Sequence, residues 1–155
     1  LLQLPDTCTT KVSPLTEPNL VEAGVFRFKS SDTIASRLAQ LHADLHALIS
    51  EHQPAVMVIE KLYAHYKHPN TAIVMGHARG VILLAAQTAG LEVIDIPATE
   101  VKKAVTGYGH ASKQQMQQSV QTHCGLAEPP SPPDVADAIA IALTHARRMM
   151  LGTPA

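Results

Sequence analysis

The sequence predicts an α/β fold with at least some parallel strand pairing. Three observations carry that prediction. Strand-like runs alternate with helical patterns through the middle of the chain, as they do where helices cover a sheet. The run AVMVI (55–59) is continuously apolar, the pattern of a strand buried on both faces. Apolar residues make up 46% of the 155 residues and charged residues only 16%, which suits one domain with a single well-covered core. Aromatics are scarce, so that core must be aliphatic.

The elements follow in order. Residues 1–20 hold three prolines and little periodicity, so a short strand and then loop are expected. VEAGVFRF (21–28) alternates and predicts a strand. Over 32–50, Ile34, Leu38, Leu41, Leu45, Leu48 and Ile49 share one face, predicting an amphipathic helix capped by Ser31 or Asp32. Pro54 precedes the AVMVI strand. Asn70 is expected to cap a helix through about Ala89, buried on most sides because it carries little charge and stopped by Gly90. LEVIDI (91–96) predicts a strand. Pro97 opens a short helix, GYGHAS (107–112) is a loop, and a helix runs from about Ser112 to His123. The linker EPPSPP (128–133) leads into a last helix over about 133–150.

Composition excludes several classes. The formal net charge is −1, which does not advertise a nucleic-acid binder, although Lys102, Lys103 and Lys113 form a local basic patch beside His110. Cys8 and Cys124 show no CxxC pairing, so neither a disulfide framework nor a zinc site is expected, and a reducing cytoplasm fits. No apolar run reaches the length of a membrane span, and the first residues lack a signal-peptide layout. A chain that begins with Leu rather than Met suggests a start lying further upstream.

The chemistry concentrates in acids. Glu60 follows the apolar strand, at the strand end where open α/β sheets place their ligands; the plainer reading is a solvated residue past the strand. Asp134 and Asp137 are spaced i, i+3 and so share one helix face. Ordinary capping of a helix N-terminus would account for one of them. The same face is expected to continue through Ala138 and Ile141 onto the core, which draws Asp137 out of water. A carboxylate there needs compensation, and Mg²⁺ can supply it. Lys113 follows a Gly-rich loop whose backbone amides can approach a phosphate. The histidines of HYKH (65–68) lack a third ligand and are expected to be solvated.

Four stretches together resemble the RuvC family of Holliday-junction resolvases: VMVIEKLY (56–63), GHARGVILLAA (76–86), VKKAVTGYGHASK (101–113) and DVADAIAIALTH (134–145). They occur in the family's order and spacing over about four-fifths of the chain, from Val21 to about His145. The resemblance implies one RNase H-like domain over 1–155, a mixed sheet flanked by helices, with 21–150 as the matching core and 1–20 as an atypical N-terminal segment. It implies that Glu60, Asp134 and Asp137 are catalytic and metal-binding acids. Tyr63 stands where the family has an aromatic associated with stacking on junction DNA, a half-buried core aromatic being the plainer reading, and Lys102 and Lys113 match family lysines near the scissile phosphate or in DNA contact. Arg79, inside GHARG, sits in a helix similar to the family's dimer-forming element, where a structural role is expected.

The chain departs from the pattern at its start. The family's first strand carries GIDPG, whose Asp is a fourth metal-binding acid; this chain has LLQLPDTCTTKV. Asp6 is the candidate, but it follows Leu-Pro, and a proline disturbs a central strand. Asp6 serves in a shifted register, or the N-terminus is altered or truncated, or the chain binds DNA without cutting it.

The resemblance thus implies a cytoplasmic, homodimeric endonuclease that resolves four-way DNA junctions with Mg²⁺ or Mn²⁺, two ions per site, and branch-migration proteins as further candidate partners. A catalytically impaired junction-binding protein is the alternative. Another RNase H-like nuclease with a different nucleic-acid substrate is the third.

Overall fold

The computed structural model describes residues 2–3, 18–61 and 69–152. The elements are β1 (Leu2–Gln3), β2 (Asn19–Leu20), α1 (Ile34–His52), β3 (Val56–Glu60), α2 (Pro69–Thr88), β4 (Glu92–Ile96), α3 (Ala98–Thr106), α4 (Lys113–Cys124) and α5 (Pro133–Met150). They pack as two compact units. Val25–Asp95 forms one, and the residues up to Gly24 together with Ile96 onward form the other.

In the Val25–Asp95 unit, α1 packs on α2. Leu41 and Leu45 on α1 and Ala85 on α2 are buried together, with Phe28, Ile49, Ala78, Val81 and Ile82 against them. Thr33 caps α1, its hydroxyl accepting from the Ser36 N–H at 3.2 Å. The cap is therefore one residue beyond the expected Ser31 or Asp32, because Asp32 closes the preceding turn with its N–H on the Lys29 carbonyl. β3 pairs with β4. The 20-residue α2 between them is the crossover that parallel neighbours require.

Four further expectations are corrected. Asn70 is not the cap of α2; Pro69 already occupies the first helical position, where its missing N–H costs nothing. Residues 21–28 form no strand. Alternation reports which face a side chain would take, but a strand also needs a partner to bond to. Helix α2 is not buried on most sides: Ile73, Met75 and Leu84 are 56%, 46% and 55% exposed. A helix that is apolar all round needs cover, and α1 supplies it on one side only. In the same way Val56, Met57, Val58 and Ile59 are half-buried rather than sealed on both faces.

In the other unit, α5 packs on α3 and α4. Its inner face is Val135, Ala136, Ile139, Ala140 and Leu143, all buried. Ala136 and Ala140 have no exposed surface, and such small residues let neighbouring helices approach closely. Val101 and Val105 from α3 and Met116 and Val120 from α4 complete this aliphatic core. Local signals set the helix ends. Gly107 (φ 78°) and Gly125 (φ 61°) close α3 and α4 in the left-handed conformation that suits glycine. Ser112 and Gln115 form a reciprocal capping box at the start of α4. β1 pairs antiparallel with β2, Leu2 opposite Leu20. Among the described residues, no helix is long and apolar enough to cross a membrane.

Candidate active site

The start of α5 is set by Pro133 in its first turn. Asp134 follows in that turn, its side chain 78% exposed, and Asp137 stands one turn on, half-buried. The face expected to carry Asp137 inward is corrected. Ala138 is exposed and Ile141 half-buried, whereas Val135, Ala136, Ile139 and Ala140 pack. Asp137 therefore lies at the margin of the buried stripe, not in its centre.

Burial raises the Asp137 carboxyl above its ordinary value of 3.8. Lys113 draws it back down, the neighbouring Asp134 charge raises it, and Lys102 lowers it. Four of the residues singled out in the sequence are thus within electrostatic reach of one another. Three helices deliver them: Lys102 from α3, Lys113 from the first position of α4, and the two acids from α5. Lys113 Nζ is 3.4 Å from Asp134 Oδ1. Both side chains are exposed, so the pair is worth at most about 1 kcal/mol and is easily exchanged for another ligand.

This donor set suits a hard divalent cation. It offers carboxylate oxygens on successive turns, one of them held partly out of water beside a like charge. Among the described residues of this unit, Asp134 and Asp137 are the pair that could hold such an ion. Among the described residues, no group of three or more His, Cys, Asp or Glu is arranged as a metal cage.

In the Val25–Asp95 unit, Glu60 is the last residue of β3 rather than the one after it, and it is exposed. Its main-chain carbonyl accepts a hydrogen bond from Arg79 Nη1 at 2.9 Å. Arg79 Nη2 pairs with the Asp95 carboxylate at the end of β4. The sequence reading missed this link. Its signal was present: Arg79 is a lone Lys/Arg cation in an apolar helix, and Asp95 is an acid set between the apolar residues Ile94 and Ile96 of LEVIDI. Charges so placed are normally paired. Asp6, Tyr63 and the HYKH histidines lie outside the described residues. A shallow groove of about 330 Å³ between the end of α3 and α4 is lined by residues such as Tyr108, Gln118 and Thr122, and by none of the predicted site residues.

A family model described as crossover junction endodeoxyribonuclease RuvC matches residues 14–145. A protein of that name from Rhodopirellula baltica is 48% identical over 124 residues, covering 80% of this chain and 70% of its own. Its namesake from Heliobacterium modesticaldum is 43% identical over 129 residues, covering 83% and 79%. This chain belongs to the RuvC family.

Solved RuvC structures agree. Thermus thermophilus RuvC superposes with a TM-score of 0.81 at 29% identity, covering 98% of this chain and 87% of its own. The same protein in complex with a Holliday junction substrate gives 0.81 at 30% identity, covering 94% and 86%. The fold is accordingly the RuvC type, RNase H-like, with helices flanking paired strands. The family match begins after Asp6, which is where LLQLPDTCTTKV departs from the RuvC pattern.

Proposed function

We propose that this RuvC-family chain is a divalent-cation-dependent endonuclease that resolves four-way DNA junctions by paired symmetric nicks. The observation that carries the reading is the gathering of Asp134, Asp137, Lys102 and Lys113 at the mouth of α5. Asp134 and Asp137 are the cation ligands, and the family resemblance assigns Glu60 and Asp6 the same role. These acids would hold Mg²⁺ or Mn²⁺, two ions per site, which would supply charge to activate an attacking water and stabilise the leaving oxygen.

The protein's own groups do the rest. Lys102 and Lys113 hold the anionic backbone and balance charge that grows on the phosphate. Lys113 exchanges its exposed partner Asp134 for the phosphate as substrate arrives. Packing of α5 on α3 and α4 keeps the two carboxylates in one orientation while the backbone is bound. Tyr63 stacks on a base exposed at the junction.

Paired nicks need two sites, and a homodimer provides them. The exposed stripe of α2 suits that role: Ile73, Gly76, Gly80 and Leu84 lie on one face and are all exposed. A Cβ at Gly76 or Gly80 would meet nothing within 4 Å, so a second helix has room to approach there. A cytoplasmic setting fits the two cysteines, and branch-migration proteins are the natural further partners.

A second reading keeps the junction binding and drops the cleavage. It is favoured by LLQLPDTCTTKV (1–12), which lies outside the family match and lacks GIDPG. The test is side-by-side treatment of a four-way junction, a linear duplex and an RNA with Mg²⁺. Symmetric nicks confined to the junction support the proposal. Gel-shift binding without nicking supports the second reading. Preferential cutting of duplex or RNA would point to a different RNase H-like nuclease.

A further inference from the structure

We infer that Arg79 is a positioning residue for Glu60, strapping the end of β3 to the end of β4 from helix α2. The inference deepens the proposed nuclease reading, because it gives Glu60 a held backbone. Arg79 Nη1 donates to the Glu60 carbonyl at 2.9 Å, and Nη2 pairs with Asp95. One planar guanidinium thus bridges two strand ends that emerge side by side. Asp95 fixes the plane of the fork, and the fork fixes the peptide that follows Glu60. That peptide is at the last residue of the strand, beyond which no β3 residue continues the ladder. An unrestrained strand end frays, and the direction of the Glu60 side chain would drift with it.

Core packing does not call for a cation here. The Arg79 side chain is only 21% exposed, in a helix whose other inward residues are apolar. A side chain of similar length without charge would fill the space as well. The charge is accounted for by what it holds. The same helix carries the exposed Ile73–Leu84 stripe proposed to meet a second copy, so the seating of α2 reaches the backbone of Glu60 through one residue.

Arg79→Met keeps the packing of the stem and removes both donors, while Arg79→Lys keeps a cation that can satisfy one partner but not both. Two readouts are taken: amide hydrogen exchange, and junction nicking resolved into kcat and KM. For Arg79→Met, exchange at 59–61 rises about tenfold while α1 stays protected. Its kcat falls about 10- to 100-fold with KM for the junction unchanged, and Arg79→Lys recovers part of the loss. Unchanged exchange at 59–61, a uniform rise across the whole unit, or a kcat equal to wild type overturns the inference. If the wild-type chain nicks no junction while Arg79→Met still loosens 59–61, the nuclease reading falls and the strap stands.

Discussion

Asp137 carries a cost in the unliganded protein. Its carboxyl is raised above 3.8 chiefly by burial, and Asp134 adds to that rise. A raised acid pKa means that the folded state binds a proton more readily than the unfolded chain. Below 3.8 both states are protonated and nothing is lost. As pH climbs through the window above 3.8, the folded state must give up that proton at a cost, and the cost persists to neutral pH. Asp137→Asn should therefore melt at a higher temperature than wild type at pH 7 without divalent cations, the gain shrinking as pH falls toward 3.8. Thermal melts across that range check it; a variant less stable than wild type at pH 7 would count against a strained carboxylate. Added Mg²⁺ should raise the melting temperature of the wild-type chain and leave Asp137→Asn nearly unmoved.

Helix α5 is the element that positions both acids of the proposed site. Ala136 and Ala140 are sealed against their neighbours, so there is no room for a larger side chain. Ala140→Leu should cost about 1–3 kcal/mol through overpacking, read by urea unfolding, and should lower junction nicking at temperatures where the variant is still folded. At the start of α4, Ser112→Ala removes the side-chain half of the capping box. It should cost about 1 kcal/mol and loosen the first turn, which carries Lys113. The strong local signals were legible in the sequence: Gly90, the GYGHAS loop and the prolines of EPPSPP each mark an end that the structure places within a residue or two. What was not legible depends on partners distant in sequence. The alternation of 21–28 could not report a missing strand partner, and the apolar character of α2 could not say which side its own chain would cover. The meeting of Asp134, Asp137, Lys102 and Lys113 was anticipated because each carries a family motif. The Arg79 link joins residues 16 and 19 positions apart, through a main-chain carbonyl that leaves no mark on residue type.

At the scale of the whole molecule, cleavage in the proposed reading is a property of two copies. Leu84→Asp puts a charge into the exposed stripe of α2 without touching the packed side of that helix. It should shift the protein to a monomer in sedimentation and turn paired nicks into single ones. A variant that remains dimeric would place the contact elsewhere.

The central claim is that the acids at the mouth of α5 hold the cation that a junction nuclease requires. The most direct measurement is the nicking rate of a synthetic four-way junction over a Mg²⁺ titration, for wild type and Asp137→Asn. Loss of a residue that merely supports a metal ligand costs about 10- to 100-fold, so loss of the ligand itself should exceed about 100-fold, with gel-shift binding of the junction retained. Nicking by Asp137→Asn at the wild-type rate and the same Mg²⁺ dependence would contradict the account.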